Sequence, residues 1–343
     1  MKRVLVILVT HNGMHWLERC LGSVAGDFST ALEMTGSPEM TALLSRPNEV
    51  RGEISFTDVY VLDNDSTDGS ADYIQSHFPQ AHLVRSADNL GFTGGNNLGF
   101  RYALEHNYDY VYLLNQDAWL EPGALDNLVA AAEAHPDFAV LSPLQLQADG
   151  IQFDPQFGKL FRSGAKTAPN APECVPEGKS GAKTAQIAPD CAKKGVSGVN
   201  TPQIAPETVE VPRIMAAHWL MPVEALRKIG LFSELFPYYG QDDDWCLRAH
   251  YHGWKVGVVP EARAVHDRAK RQESKDRIID RNYRVGSLVR LCDINRPLWE
   301  RFLFVCLFTL VKAVKYRSLL PFKHFRSLCR QLPAVREHRA HSR

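Results

Sequence analysis

The chain has 343 residues, 45% of them hydrophobic and 23% charged, which is ordinary globular material and excludes disorder throughout. Thirty-nine Lys and Arg balance 39 Asp and Glu, so the overall charge gives no argument for a nucleic-acid partner. The seven cysteines are scattered and never spaced as CxxC, which speaks against a disulfide framework or a zinc site and for a reducing, cytoplasmic setting.

Lys2 and Arg3 precede an apolar run over 4–9 that is too short for a signal peptide and lacks a small-residue cleavage site, so it reads as a buried first strand. The run ends in Thr10, His11, Asn12 and Gly13, and Trp16, Leu17, Cys20, Leu21 and Val24 then recur at helical spacing. Residues 27–57 have no sustained period and read as an irregular insertion. A strand over 59–62 is followed by the polar loop 63–70 and a helix over 71–77. A third strand, 81–85, leads into the Gly- and Asn-rich segment 89–99 and a helix to about 106. A fourth strand, 110–114, stops at Asn115, Gln116 and Asp117, and Glu121, Pro122 and Gly123 open another helix, with proline at an early helical position. This alternation predicts an α/β domain with a mainly parallel central sheet.

Ligands of such sheets sit beyond the carboxyl ends of the strands. The polar segments 10–12, 63–68, 89–97 and 115–117 all fall there, so four separated stretches converge on one cleft.

Residues 163–212 are rich in Pro, Ala, Gly, Lys and Thr and repeat themselves, with SGAKTA at 163–168 and again at 180–185. So few large apolar side chains predict a flexible low-complexity insertion. Order resumes with a helix over 223–229. The acidic cluster Asp242, Asp243 and Asp244 stands at the start of a helix that stops at Gly253, and a strand over 255–259 leads toward His266.

Asp117 ends a strand, where a carboxylate can hold a divalent cation, with Asn115 on the same side of the extended chain. Capping of the helix near Pro122 is the competing role. In the acidic cluster, crowding should raise at least one pKa and furnish a base for an acceptor hydroxyl, Asp242 foremost. A solvated cap is the alternative there, and it suits Asp244 better. The segment 89–99 offers backbone and amide donors that suit phosphate or ribose, or it is simply a tight loop needing small residues.

The segments 61–70, 89–99, 113–117 and 240–248, in that order, resemble the motifs of family 2 glycosyltransferases, most closely the rhamnosyltransferase-like branch. The resemblance covers about 1–270 apart from the two insertions. It implies a GT-A type nucleotide-sugar-binding fold, an inverting displacement, a UDP- or dTDP-sugar donor such as dTDP-rhamnose, and Mg²⁺ or Mn²⁺. Thr10 and Asn12 would line the base and ribose pocket, Asp63 would bind the nucleoside, and Asn89, Gly95, Asn97 and Asn115 would lie along the nucleotide. Asp117 would be the main metal carboxylate, with His266 able to join it, and Asp242 would be the base. Trp219, Gln241 and Asp244 are expected around the acceptor or beside the base. Two positions depart from the pattern: Asn115 replaces the first acid of the DxD-like motif, and Gln241 replaces the glutamate of the Glu-Asp pair.

Residues 271–343 are expected to form a basic, partly apolar helical appendage. The apolar decad 302–311, followed by Lys312, Lys315, Arg317, Lys323, Arg326 and Arg330, is too short to cross a bilayer, which takes about 20 residues. It either packs on the domain or lies on the inner face of the cell membrane as a peripheral contact. The implied acceptor is a glycan or polyprenyl-linked hydroxyl in surface polysaccharide synthesis. A catalytically inactive nucleotide-sugar binder and a nucleotidyltransferase are the alternatives, and the latter lacks its basic loop after the first strand.

Overall fold

A computed structural model describes residues 2–24, 54–165, 206–268 and 275–343. Most of the two expected insertions therefore lies outside the described residues. The first half alternates as expected: β1 (Lys2–Thr10), α1 (Met14–Val24), β2 (Ile54–Asn64), α2 (Ser70–His77), β3 (His82–Ser86), α3 (Gly91–Glu105) and β4 (Tyr110–Asn115). Then follow β5 (Ala118–Leu120), α4 (Ala124–Ala134), β6 (Phe138–Leu146), α5 (Pro155–Ala165), β7 (Val209–Glu210), β8 (His218–Pro222), α6 (Val223–Ile229), α7 (Gln241–Tyr251) and β9 (Lys255–His266).

β1 shows why the sheet needs cover on both faces. Residues 4–8 are fully buried, and their alternation divides two cores. Leu5 and Ile7 join Phe100 and Ala103 of α3, whereas Val4, Val6 and Leu8 join Leu17, Cys20 and Leu21 of α1. Gly99 on α3 allows this approach, since a Cβ there would stand 2.6 Å from Ile7.

The strand order is β3-β2-β1-β4-β8-β6-β9-β5, with β7 on β9. The first four strands are parallel, as expected. The rest of the sheet is mixed: β8 runs antiparallel to β4 and β6, β5 and β7 run antiparallel to β9, and only β6 with β9 is parallel. The expectation of a mainly parallel sheet holds, since six of the nine strands, β1, β2, β3, β4, β6 and β9, run in one direction. Antiparallel strands of two to five residues carry little periodic signal.

Several boundaries move. β2 begins at Ile54, inside the stretch read as insertion, because its pairing with β1 extends to Lys2. The helix expected from Pro122 begins at Ala124, after Gly123 takes a left-handed φ of 76°. Residues 163–165 complete α5, and Val209 and Glu210 pair with Val258 and Gly257, so both ends of the region read as low-complexity loop are structured.

The appendage consists of α8 (Lys275–Cys292), α9 (Leu298–Tyr316), α10 (Leu320–Arg330) and α11 (Leu332–His341). It packs on the domain through a third core in which Phe236 meets Leu288, Val289, Val305, Leu328 and Val335. Gly240 is needed at this seam: its φ is 90°, and a Cβ would stand 2.7 Å from Val285.

Candidate active site

The carboxyl ends of β1, β2 and β4 lie side by side, with Thr10 paired to Asp63 and Val9 to Asn115. Two strand spacings, about 10 Å, therefore separate the backbones at Asp63 and Asn115. Asp63 is buried; its Oδ2 accepts the Ser66 N–H at 3.3 Å, and its Oδ1 has no partner. It faces a cavity of about 400 Å³ whose walls include Ser66, Thr67, Asp72, Arg85 and Ser86. A buried carboxylate oxygen without a donor is costly unless a ligand supplies one.

The neighbouring polar residues hold this end in shape. Asn12, in the left-handed region with φ 51°, accepts the Thr67 N–H on Oδ1 at 2.8 Å, and its own N–H donates to Ser66 Oγ at 3.0 Å. The buried Thr10 hydroxyl donates to Gln116 Oε1 at 2.9 Å, which also accepts the His11 N–H at 2.8 Å. Asn89 Oδ1 accepts from Asn64 Nδ2 at 3.0 Å and from the Gly91 N–H at 2.9 Å.

Gly95 and Asn97 lie on the buried side of α3 instead of along the cleft. A Cβ at Gly95 would stand 2.8 Å from Val9. Asn97 donates to the Phe232 carbonyl and accepts the Phe232 N–H, both at 3.0 Å. The Thr93 N–H likewise donates to the Pro237 carbonyl at 3.1 Å. The Gly- and Asn-rich segment therefore anchors the 232–237 loop that leads into α7.

Asp117 occupies the turn between β4 and β5, seven residues ahead of α4, so it caps no helix. Its Oδ1 lies 3.5 Å from His266 Nε2, where Ala118 pairs with His266 across β5 and β9. Burial would raise the Asp117 pKa, but the His266 imidazole beside it and the more distant Arg268 hold it below the usual carboxylate range. On the other side of the ring, Asp154 Oδ2 lies 3.8 Å from His266 Nδ1 and receives the Arg268 Nε at 2.5 Å. A divalent cation about 2.1 Å from each of two ligand atoms 3.5 Å apart is sterically reasonable. At 3.8 Å Asp154 is too far to hydrogen-bond the ring, and His266 Nδ1 is buried without a partner.

Asp242 stands in the first turn of α7. Burial and the Asp243 carboxylate push its pKa up to about 7, against the hydrogen bond that the Asp243 N–H donates to Oδ1 at 2.9 Å. Asp243 itself pairs with Arg213 at 2.7 Å. Asp244 turns the other way and is buried: Oδ2 receives Arg248 Nε at 2.9 Å, and Oδ1 lies 2.8 Å from His338 Nε2 on α11. Asp244, Cys292 and His338 are close enough together to suggest a metal site. Both Asp244 oxygens are already engaged, however, and burial pushes the Cys292 thiol pKa up, so these residues join helices. Gln241 is buried with Oε1 unpartnered, and Trp219 is fully buried against Phe232 and Trp245 with its Nε1 unpartnered.

One short segment ties the two carboxylates together. Arg213 is bonded to Asp243, and the Ala217 carbonyl accepts the Asn115 N–H at 3.1 Å. The segment between these two bonds spans at most about 14 Å, so it links the start of α7 to the end of β4. His218, the next residue, packs behind Asp117. Burial and then the neighbouring His266 press its pKa down to about 3, so it is neutral, accepting from the Tyr112 hydroxyl at 2.7 Å and donating to the Val265 carbonyl at 3.1 Å. No sequence pattern marks Asp154, Arg213 or Arg268 as parts of this site, because each acts through a partner more than 25 residues away.

Residues 5–174 match the family model described as Glycosyl transferase family 2. The chain is similar to a low-salt glycan biosynthesis hexosyltransferase of Haloferax volcanii, 32% identical over 108 residues, which are 30% of this chain and 34% of that one. It is also similar to the undecaprenyl-phosphate mannosyltransferase of Micrococcus luteus, 28% identical over 96 residues, 27% of this chain and 40% of that one. The chain thus spans between a third and two fifths of the length of the curated relatives it matches. The crystal structure of S. aureus TarS 1–349 superposes with a TM-score of 0.50 at 14% identity, covering 88% of this chain and 68% of that one. The chain accordingly has the GT-A type of fold, with helices appended at its C-terminal end.

Proposed function

We propose that this chain is an inverting glycosyltransferase that moves a sugar from a nucleoside-diphosphate donor to a hydroxyl of a glycan or lipid-linked acceptor. The observation that carries the reading is Asp242, a carboxylate in the first turn of α7 whose pKa burial and Asp243 push up to about 7, at a helix start that the segment from Arg213 to Ala217 links to the end of β4. A base poised near the working pH combines adequate ionisation with adequate proton affinity.

In this reading the donor lies across β2, β1 and β4. The unpartnered Asp63 Oδ1 accepts a ring N–H of the base, which uracil, thymine and guanine possess and adenine and cytosine lack. The 10 Å from there to Asn115 suits a nucleoside and its diphosphate. Asp117 and His266, with Asn115 beside them, would hold Mg²⁺ or Mn²⁺, and the ion when bound neutralises charge on the departing diphosphate. Asp242 takes the acceptor proton as the hydroxyl oxygen bonds to the anomeric carbon from the face opposite the diphosphate. The sugar–phosphate bond breaks, its electron pair leaves with the nucleoside diphosphate, and the configuration inverts. A dTDP- or UDP-sugar, dTDP-rhamnose among them, satisfies the Asp63 requirement. A polyprenyl-linked acceptor agrees with the name of the Micrococcus luteus relative.

The test is release of nucleoside diphosphate from UDP-, dTDP- and GDP-sugars with Mn²⁺, measured with and without a polyprenyl-linked saccharide acceptor. Acceptor-stimulated release is expected. Donor binding without turnover on any acceptor would favour an inactive binder, for which the buried Gln241 in place of an acid is the supporting feature.

A further inference from the structure

We infer that the outward face of the C-terminal helices docks on an anionic lipid bilayer. α9 is apolar on both sides. Val305 and Thr309 are buried against the domain core, while Trp299, Leu303, Leu307, Leu310 and Val314, at helical spacing along the opposite face, are each 50% or more exposed. The apolar surface continues past the helix end, where Leu319 is 79% exposed. Soluble monomers rarely show contiguous apolar patches beyond a few hundred Å², so a stripe of this length calls for an occupant.

Charge selects that occupant. From Arg301 to Arg336 the chain carries eight Lys and Arg and no Asp or Glu. Lys312, Lys315 and Arg317 gather where α9 ends, and Lys323, Arg326 and Arg330 follow on α10. An apolar ridge bordered by cations is the arrangement that binds anionic headgroups while its side chains enter the acyl boundary. A second copy of the chain fits less well, since a two-fold interface would bring this same positive face against itself. Among the described residues no helix is long and apolar enough to cross a membrane, so the contact is interfacial.

The face is joined to the start of α7. Arg290 of α8 lies 5.3 and 5.4 Å from the ring centres of Phe304 and Phe308. Burial, with Arg213 and Arg301 nearby, lowers its pKa, and Arg213 is the partner of Asp243. Docking would thus bring the start of α7, where Asp242 stands, toward the lipid surface. The inference does not depend on sugar transfer.

The experiment is co-sedimentation of the full chain with vesicles of phosphatidylcholine alone or with about 30% phosphatidylglycerol. Binding to the anionic vesicles should be at least about tenfold stronger and should weaken with salt. Leu307→Glu/Leu310→Glu should abolish it with melting temperature unchanged, because both side chains are exposed. Lys315→Gln/Lys323→Gln/Arg326→Gln should weaken it on the order of tenfold or more. Should the Glu variant misfold, brominated phosphatidylglycerol provides a second measurement: it should quench wild-type tryptophan fluorescence, and Trp299→Phe should remove most of that quench. Sedimentation with neither vesicle, equal sedimentation with both, or a dimer in solution that the Glu variant dissociates would each overturn the inference.

Discussion

His266 Nε2 lies 3.5 Å from Asp117 Oδ1 where two strands pair, with Asp154 on the far side of the ring. Asp117 contributes the negative charge of the pair and Asn115 is neutral, so Asp117→Ala should abolish the dependence of nucleotide affinity on Mn²⁺. His266→Ala should weaken it less, roughly tenfold to a hundredfold. Titration calorimetry of nucleoside diphosphate with and without Mn²⁺ measures both. Equal wild-type affinity in the two conditions would end the metal assignment.

Asp242→Asn keeps shape but removes the basic oxygen, so turnover should fall by about 10²-fold or more while the donor dissociation constant holds. Stability gives an independent check. The folded pKa of about 7 lies above the unfolded value near 3.9, so the stability this group contributes is full below the unfolded value and lost as pH rises through 7. Asn has no such loss. The variant should match wild type near pH 3.5 and exceed it by up to about 4 kcal/mol at pH 8 in urea titrations; a constant difference across that range would contradict the raised pKa.

After burial, the Asp243 charge is the second reason that Asp242 binds its proton so firmly. In Asp243→Asn the neighbouring negative charge is gone, so the Asp242 pKa should fall and the acidic limb of the kcat/KM profile should move to lower pH. Activity at pH 6 relative to pH 8 should rise. A limb that stays in place while Asp242→Asn is inactive would assign that limb to another group.

Asn97 occupies both of its amide atoms with the Phe232 backbone. Asn97→Ala strands a buried N–H and a buried carbonyl and should cost about 2–4 kcal/mol in urea unfolding. Donor affinity in the folded fraction should change little. A large affinity loss at unchanged stability would return Asn97 to the nucleotide.

The sequence by itself determined the β1-to-β4 half of the fold and the ends of its strands. β-branched runs and helical spacing are local, and a parallel sheet gathers its polar loops on one edge whatever the details. Asp63, Asp117 and Asp242 were legible for that reason, as strand-end or helix-start carboxylates. What each polar side chain faces was decided only by tertiary structure. Gly95 and Asn97 share a polar run with Asn89, yet the helix turns them toward Val9 and Phe232, and that rotation is set by packing on the sheet. Asp244 likewise differs from Asp242 only by two steps around α7, which send it to Arg248 and His338. The antiparallel strands β5, β7 and β8 are too short to declare themselves, and the partners Asp154, Arg213 and Arg268 are brought in from distant segments. Contacts between residues remote in sequence leave no period to read, and here they set the pKa values and the direction of the site's side chains.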